Sequence, residues 1–310
     1  MYSIGIDLGG TNIAAGVVDE NGKIIVQASR PTGAERPYQQ VVEDMAGVAM
    51  DAVKQAGISL SQVRAIGVGV PGYADPDTGV VVFCTNLGWK DVPLREEMQK
   101  YIPLPVYADN DATVAGYAEA MVGVSRGVEN SVFLTLGTGV GSCIIIGGKI
   151  WYGSHKVAGE LGHIIYNCDG EECTCGAHGC FERYASATAL IRIAKEKLQK
   201  YPESCLQSKV DTLNARDVID AAREKDACAC EAFDEYTTHL AMGIVSIINF
   251  IDPEVIVLGG GVSKAGAILL DTVKEKVEKF RFYKTLPFGE VKLAKLGNEA
   301  GIIGAAMLGL

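Results

Sequence analysis

The sequence predicts an α/β protein with two domains, mainly because one arrangement occurs twice along the chain. Strand patterns on either side of Gly9-Gly10 are repeated on either side of Gly137-Thr138-Gly139. In the first of these places Ile4 and Ile6 alternate with Gly5 and Asp7, as in a half-buried strand. Other segments have apolar residues at helical spacing, and 310 residues suffice for two domains of ordinary size. Two related halves, each with a glycine turn of phosphate size, predict that a nucleotide is held between the domains.

The composition is that of a globular protein from a reducing compartment. Hydrophobic residues make up 48% of the chain and charged residues 21%. A net charge of -10 argues against nucleic-acid or anionic-membrane partners. The longest apolar run, residues 240–251, is too short to span a bilayer, and no leader peptide is evident. Nine cysteines form no disulfide framework, so we expect a cytoplasmic protein.

The first glycine turn lies in the segment Asp7-Leu8-Gly9-Gly10-Thr11-Asn12. Two glycines let the backbone approach a ligand, and Thr11 and Asn12 add donors, so phosphate oxygens could be held here. Asp7, at the end of a strand, could hold the water shell of Mg²⁺. Taken alone, a tight structural hairpin is an equally good interpretation.

Two later motifs suit a sugar. Asn86 and Trp89 lie in a segment, residues 73–89, that the sequence predicts to be loop-rich. An amide binds hydroxyl groups and an indole offers an apolar face, although a capped turn with a core tryptophan is the alternative. Asp109-Asn110-Asp111 follows a strand and begins a helix. These residue types are common at helix starts, but Asp111 could also accept a proton from a sugar hydroxyl.

A third glycine segment, Gly259-Gly260-Gly261, follows a buried parallel strand, residues 254–258, and precedes a helix. Such a strand-to-helix turn suits a nucleotide. Single instances often reflect only close packing.

The stretch 159–182 combines a histidine with three cysteines in the order His-x9-Cys-x-Cys-x4-Cys. One nitrogen and three thiolates complete a tetrahedral shell for a structural Zn²⁺. The ligands would be His163, Cys173, Cys175 and Cys180. Reduced or disulfide-linked cysteines are the alternative, although Cys173 and Cys175 are too close to bridge comfortably. Because a closed shell leaves the metal no catalytic position, the functional groups would be side chains beside the ligands, first of all Glu160 and Glu182.

Together these motifs resemble the ROK family of sugar kinases, and most of all its bacterial glucokinases. The resemblance covers nearly the whole chain, and its most specific part is the cysteine pattern with GELGH upstream. It implies an actin-like ATPase fold of two α/β domains around a cleft. The expected domains are 1–110, joined by the terminal helix 298–310, and 111–297, with the zinc loop 160–182. The motifs that carry the resemblance are DLGGT (7–11), NLGW (86–89), DND (109–111), LGTGVG (136–141), GELGH (159–163) and CTCGAHGCFE (173–182).

The resemblance also implies roles for single residues. Asp111 would be the general base that takes the proton from the 6-hydroxyl of the sugar as it attacks the γ-phosphate of ATP. The sugar would be bound by Asn86, Asn110, Asp111, Glu160, His163 and Glu182. ATP and Mg²⁺ would be bound by Asp7, Gly9, Gly10, Thr11, Asn12, Gly137, Thr138, Gly139, Gly259, Gly260 and Gly261.

The expected function is therefore ATP-dependent phosphorylation of glucose in carbohydrate metabolism, by a homodimer or homotetramer. A kinase for another hexose, such as N-acetylmannosamine, is one alternative. A non-catalytic, sugar-sensing regulator is the other. Many ROK repressors carry a DNA-binding helix-turn-helix before the DLGGT strand. Here that strand begins at Tyr2, so we expect no binding of nucleic acid.

Overall fold

The computed structural model describes all 310 residues, which form strands and helices in mixed order. The strands are β1 (Tyr2–Leu8), β2 (Asn12–Asp19), β3 (Ile24–Pro31), β4 (Val63–Val70), β5 (Tyr73–Ala74), β6 (Val81–Cys84), β7 (Trp89–Val92), β8 (Val106–Asn110), β9 (Ser131–Leu136), β10 (Val140–Ile146), β11 (Lys149–Ile150), β12 (Val255–Gly259) and β13 (Glu290–Leu293). The α-helices are α1 (Tyr38–Gln55), α2 (Leu94–Gln99), α3 (Asp111–Met121), α4 (Glu182–Ala185), α5 (Ala187–Leu198), α6 (Ala215–Arg223), α7 (Ala227–Ile251), α8 (Gly260–Ser263), α9 (Ala267–Phe280) and α10 (Ala300–Met307). None of these helices has the length and apolar character needed to cross a membrane.

Two five-stranded sheets follow the same plan, which confirms the predicted duplication. Their strand orders are β3-β2-β1-β4-β8 and β11-β10-β9-β12-β13. In the first sheet β1 pairs antiparallel with β2 and parallel with β4, and β8 continues the parallel edge. In the second sheet β12 runs parallel to β9 and β13, while β10 and β11 are antiparallel. Each sheet thus has antiparallel strands on one side and parallel strands on the other.

The first sheet is covered on both faces, as the alternation in β1 predicts. Ile4 and Ile6 are fully buried in the core that includes α1. Gly5, between them, points to the other face, where a Cβ atom would lie 1.8 Å from the carbonyl oxygen of Ile302 in α10. The backbone of α10 can therefore rest directly on the strand.

Helix ends follow the signals in the sequence. The side chains of Asn110, Asn214 and Asp226 each accept a backbone N–H at the start of α3, α6 and α7. The last residue before Pro253, Asp252, has φ of 50° and ends α7. The predicted break at Asp252-Pro253 is confirmed.

Contacts divide the chain into two compact units. The first comprises Met1–Glu129, Cys143–Gly159 and Lys295–Leu310, and the second Asn130–Ser142 and Glu160–Ala294. The predicted boundary between residues 110 and 111 falls inside the first unit, at the start of α3. Where the two functional domains divide stays a prediction.

One segment is more regular than expected. Residues 73–89, predicted to be loop-rich, contain β5 and β6 and reach β7, which together form a small antiparallel sheet. The turn chemistry at 75–79 connects two strands: the Gly79 N–H donates to the Asp75 carbonyl at 2.7 Å. The Asp77 N–H donates to the Asp75 carboxylate at 2.9 Å.

Candidate functional site

The β1–β2 turn, predicted to bind phosphate, is a tight hairpin with a buried support. The Gly9 N–H donates to the Asn12 carbonyl at 2.9 Å. Thr32, which follows β3, is fully buried and donates its hydroxyl to the Gly9 carbonyl at 2.7 Å. Its backbone N–H donates to the Thr11 carbonyl at 3.0 Å. The side chains of Thr11 and Asn12 are exposed, so a rigid turn presents polar groups to solvent.

Asp7 is half-buried beside this turn. It pairs in register with Ala14 of β2 and Gly69 of β4. Its carboxyl group lies against the first turn of α10, where a Cβ atom on Gly301 would come within 2.9 Å of the Asp7 Cγ. Burial raises the pKa of Asp7 above its usual value. A nearby cation would favour the charged carboxylate, so the side chain suits the predicted Mg²⁺ role.

Asn86 and Trp89 have different surroundings. Asn86 lies on the one-turn 3₁₀-helix Thr85–Leu87 and is exposed. A Cβ atom on Gly10 would lie 3.8 Å from the Asn86 Cβ, so this amide is next to the glycine turn. Trp89 is 5% exposed and packs edge-on against Tyr38. The tryptophan therefore belongs to the core, and the hypothesis of a sugar-facing indole is wrong.

Asn110 and Asp111 mark the start of α3. The Asn110 Oδ1 atom accepts the Ala112 N–H at 2.9 Å and the Thr113 N–H at 3.2 Å, and its amide donates to the Gly72 carbonyl at 3.0 Å. Asn110 is therefore the helix cap. Asp111 is the first helical residue, exposed, and its Oδ1 atom accepts the Ala112 N–H at 2.8 Å. A helix N-terminus favours the charged carboxylate, which is the form that a general base needs.

Asp109 is the buried member of the same motif. It is 4% exposed, and its Oδ1 atom accepts the Asn110 N–H at 2.7 Å. Its Oδ2 atom accepts the hydroxyl of Tyr152. Burial raises the pKa of Asp109 to about 6, although the Tyr152 hydroxyl and the Asn110 N–H act to lower it. No sequence pattern indicates this pair, because the two residues lie on distant segments.

The second glycine turn joins β9 to β10 and is supported by α5. The Gly137 N–H donates to the Gly139 carbonyl at 3.0 Å. The Ala187 N–H donates to the Gly137 carbonyl at 2.8 Å, and the Thr188 hydroxyl donates to the Thr138 carbonyl at 2.8 Å. Thr138 itself is exposed. This turn, like the first, presents a threonine to solvent from a fixed backbone.

The four predicted metal ligands lie together in the second unit. The potential ligand atoms of His163, Cys173, Cys175 and Cys180 all lie within 4.8 Å of one another. The Cys175 and Cys180 Sγ atoms are 3.6 Å apart, and the His163 Nδ1 atom is 3.8 Å from the Cys173 Sγ atom. Tetrahedral Zn²⁺ with bonds of about 2.3 Å separates its sulfur ligands by about 3.8 Å. The residues therefore fit a closed metal site.

Glu182, the first residue of α4, lies between this cluster and the second glycine turn. Its Oε1 atom is 3.2 Å from the Cys173 Sγ atom. Its Oε2 atom accepts the Val140 N–H at 3.3 Å. A Cβ atom on Gly139 would lie 2.3 Å from Oε2, so the glycine leaves room for the carboxylate. The carboxylate is thus oriented from both sides.

Glu160 and His163 flank a single turn of 3₁₀-helix, Leu161–His163. The His163 N–H donates to the Glu160 carbonyl at 3.0 Å. The Leu161 N–H donates to the Ser142 hydroxyl at 3.1 Å, which fixes the start of this turn. Both Glu160 and His163 are exposed, so their polar atoms can meet a ligand.

The three glycines after β12 have unequal roles. A Cβ atom on Gly259 would lie 2.6 Å from the ring of Phe133. Gly260 has φ of 80°, and its Cβ would lie 2.6 Å from the Leu136 nitrogen. Close packing therefore accounts for these two. Gly261 is exposed with open space around it, and it is the member best placed to meet a nucleotide.

A groove of about 510 Å³ in the second unit is apolar. Its lining includes Ile164, Ile165, Phe181, Met242 and Phe280. None of the residues predicted to bind sugar or nucleotide lines it. A sugar needs convergent polar groups, so this groove is not the candidate site.

The structure brings together two sets of predicted residues, one in each unit. In the first unit, the β1–β2 turn adjoins Asn86, and Asp111 begins the helix that Asn110 caps. In the second unit, Glu182 contacts both Cys173, one of the candidate metal ligands, and Val140 at the end of the β9–β10 turn. Sequence reasoning missed the supports, namely Thr32, Asp109 and Tyr152. Of these three residues, only Asp109 could have been found from the sequence, because it belongs to the DND motif.

Known proteins resemble this chain over nearly its full length. The ROK family pattern matches residues 3–310. A glucokinase of Halalkalibacterium halodurans is 37% identical, over 99% of this chain and 94% of that protein. The crystal structure of a ROK family glucokinase from Streptomyces griseus, in complex with glucose and AMPPNP, has a TM-score of 0.85 and 35% identity and covers 99% of both chains. The xylose repressor of Caldicellulosiruptor bescii is 30% identical, over 97% of this chain and 76% of the repressor.

Proposed function

Because this chain belongs to the ROK family, we propose that it is an ATP-dependent hexose kinase that converts glucose to glucose 6-phosphate. Its match to a glucokinase at 37% identity over 99% of the chain carries this proposal. The expected actin-like ATPase fold is confirmed by the likeness to the Streptomyces griseus glucokinase, whose complex contains glucose and an ATP analogue.

In the first unit, we propose Asp111 as the general base. Its exposed carboxylate at the start of α3 would take the proton from the 6-hydroxyl as that oxygen attacks the γ-phosphate. Asn110 would hold the end of β8 as helix cap and use its remaining amide hydrogen for the sugar. Asn86, exposed beside the glycine turn, would bind a further hydroxyl group.

The nucleotide would use both glycine turns. Their backbone N–H groups, with the exposed Thr11 and Thr138, suit phosphate oxygens. Asn12 would add a donor, and Asp7 would hold the water shell of Mg²⁺, which neutralises phosphate charge when bound. Of the last glycine segment, Gly261 would meet the adenosine. Gly259 and Gly260 would shape the turn.

In the second unit, we propose that Glu160, His163 and Glu182 bind sugar hydroxyls. Both carboxylates accept hydrogen bonds, and the metal-bound imidazole would donate from its second ring nitrogen. The metal would have no catalytic step. It would hold the loop that carries these groups.

The cluster of His163, Cys173, Cys175 and Cys180 would hold one structural Zn²⁺, as three sulfurs and a nitrogen in a closed shell indicate. We expect elemental analysis of the purified chain to find one zinc per chain, and Cys175→Ala to lower that content. Loss of the metal should weaken glucose binding more than ATP binding. If the purified protein were fully active and contained no zinc, the proposed structural metal would be wrong.

The decisive experiment is a coupled assay of ADP release with glucose, mannose and N-acetylmannosamine at millimolar ATP. We expect the highest kcat/KM with glucose. Asp111→Asn should lower kcat by about 10²–10⁴-fold, because a general base contributes that much. Glucose affinity, measured by calorimetry, should change little. Asp51→Asn, at an exposed position of α1, is the matched control and should keep full activity.

Two outcomes would contradict parts of this proposal. Full activity of Asp111→Asn would show that the base is elsewhere. No turnover with any hexose would favour a sugar-sensing regulator, the second candidate, which the xylose repressor at 30% identity supports. A higher kcat/KM with N-acetylmannosamine than with glucose would show that the chain is a hexose kinase with a different preferred sugar.

We further propose that the enzyme acts in the cytoplasm, in glycolytic carbohydrate metabolism, as a homodimer or homotetramer without nucleic-acid or membrane partners. The acidic net charge of -10 supports the absence of polyanionic partners. Light scattering of the purified chain would settle the number of subunits.

A further inference from the structure

Asp109 is a buried carboxylate that the proposed mechanism does not use. It lies at the end of β8, paired in register with Gly69 of β4, and is 4% exposed. Its two recorded hydrogen bonds come from the Asn110 N–H and the Tyr152 hydroxyl. Burial of a carboxyl group is costly unless its oxygens accept hydrogen bonds, so these two bonds matter for the fold around Asp109.

Asp109 has other polar groups around it. Burial raises the pKa of the Cys143 thiol, and the Asp109 carboxylate raises it further. Burial also raises the pKa of Tyr73, where the charges of Asp75 and then Asp109 add to the effect. Burial likewise raises the pKa of Tyr152. A neutral tyrosine hydroxyl is therefore the donor, and Asp109 is its acceptor.

Tyr152 is the anchor of a compact loop, residues 152–158. The Ala158 N–H donates to the Tyr152 carbonyl at 3.0 Å and closes this loop. Within it, Gly153 has φ of 70° and Lys156 φ of 61°, which give the chain its tight path. The Lys156 ammonium lies 5.4 Å from the centre of the Tyr152 ring and 3.6 Å from an Asp77 carboxylate oxygen.

We propose that Asp109 and Tyr152 are a positioning pair, whose hydrogen bond fixes the loop 152–158 to the strand end that carries Asn110 and Asp111. Since Asp109 also accepts the Asn110 N–H, the same carboxylate orients the first residues of α3. Efficient phosphorylation of the sugar then requires the pair. This inference rests on the proposed kinase function.

Tyr152→Phe removes only the hydroxyl and is the first test. We expect kcat/KM for glucose to fall by about tenfold or more, because small displacements of a catalytic group are costly, while KM for ATP stays within about twofold. Tyr107→Phe, at an exposed position of β8, the strand that carries Asp109, is the matched control and should behave as wild type.

A second variant tests whether the two residues act together. Asp109→Asn should lower kcat/KM for glucose to a similar extent. In the double variant Asp109→Asn, Tyr152→Phe, kcat/KM for glucose should be no lower than in the less active single variant. Two residues that act through one interaction lose it only once. Additive losses, or unchanged kcat/KM in Tyr152→Phe, would overturn the proposal.

Limited trypsin digestion tests the tether without kinase activity. Cleavage after Lys156, inside the loop, should be faster in Tyr152→Phe than in wild type or Tyr107→Phe. An unchanged cleavage rate means that the hydrogen bond does not hold the loop and contradicts the pair. If wild type turns over no hexose, the kinase proposal fails, while the digestion still decides whether the tether exists.

Discussion

The two glycine turns look alike in sequence but are built differently. The β1–β2 turn is supported by Thr32, a fully buried residue whose hydroxyl donates to the Gly9 carbonyl at 2.7 Å. The β9–β10 turn is supported by Thr188, an exposed residue of α5 whose hydroxyl donates to the Thr138 carbonyl at 2.8 Å. The β1–β2 turn is thus supported by a buried side chain, and the β9–β10 turn by an exposed one.

The neighbours of the glycines differ as well. Gly10 has only the Asn86 side chain near its missing Cβ, at 3.8 Å. Gly139 would place a Cβ 2.3 Å from the Glu182 carboxylate, whereas Gly137, two residues earlier, has open space. Gly137 therefore leaves open space, whereas Gly139 makes room for a protein side chain, and sequence alone does not distinguish these two situations.

Among changes in the two turns, Gly139→Ala should have the largest effect. The added methyl group must displace the Glu182 carboxylate, which sits at the end of a flexible side chain. We therefore expect a change in unfolding free energy below about 1 kcal/mol. Because Glu182 is a proposed sugar ligand, kcat/KM for glucose should fall by about tenfold or more.

Gly137→Ala is the matched control for that substitution. Its methyl group meets open space, so glucose kinetics should change little, while KM for ATP should rise because the backbone can no longer approach phosphate closely. Equal effects of the two variants on glucose would show that Glu182 does not bind the sugar. An unchanged KM for ATP in Gly137→Ala would remove this turn from the nucleotide site.

A smaller effect should distinguish the two supporting threonines. Thr32→Val leaves the Gly9 carbonyl without its buried donor, so we expect the chain to lose about 1–3 kcal/mol of unfolding free energy. In Thr188→Val water can replace the exposed hydroxyl, and the loss should stay below about 0.5 kcal/mol. Denaturant unfolding of both variants measures the difference.

Equal losses would mean that both turns depend on their hydroxyls to the same extent, and the contrast between core and surface support would be wrong. Thr32→Ser keeps the hydroxyl and should recover part of the lost stability.

Local patterns predicted the elements that carry the site. Period-two alternation located β1, and the repeated arrangement of strand, glycine turn and strand located β9. Asn110 and Asp111 indicated the start of α3. Spacing alone identified the four candidate metal ligands, because the three cysteines are within a few residues of each other. These features depend on neighbours along the chain.

What could not be predicted depends on distant contacts. Trp89 packs against Tyr38, which lies far from it in the sequence. The motif NLGW therefore could not predict that Trp89 is buried. The sequence predicts a glycine turn at Gly259 and Gly260, but it does not show that Phe133 and Leu136 pack against them. Tyr152 reaches Asp109 from another segment, and no local pattern records that pairing.

The glycines beneath α10 have a consequence for how the chain is made. Cβ atoms on Gly5 and Gly67 would lie 1.8 and 1.7 Å from the carbonyl oxygens of Ile302 and Ala305, so α10 is part of the first sheet's packing. On the ribosome, β1 and β4 emerge long before α10 is synthesised. The part of that face that α10 covers stays exposed until then, and the first unit to emerge is the last to be completed.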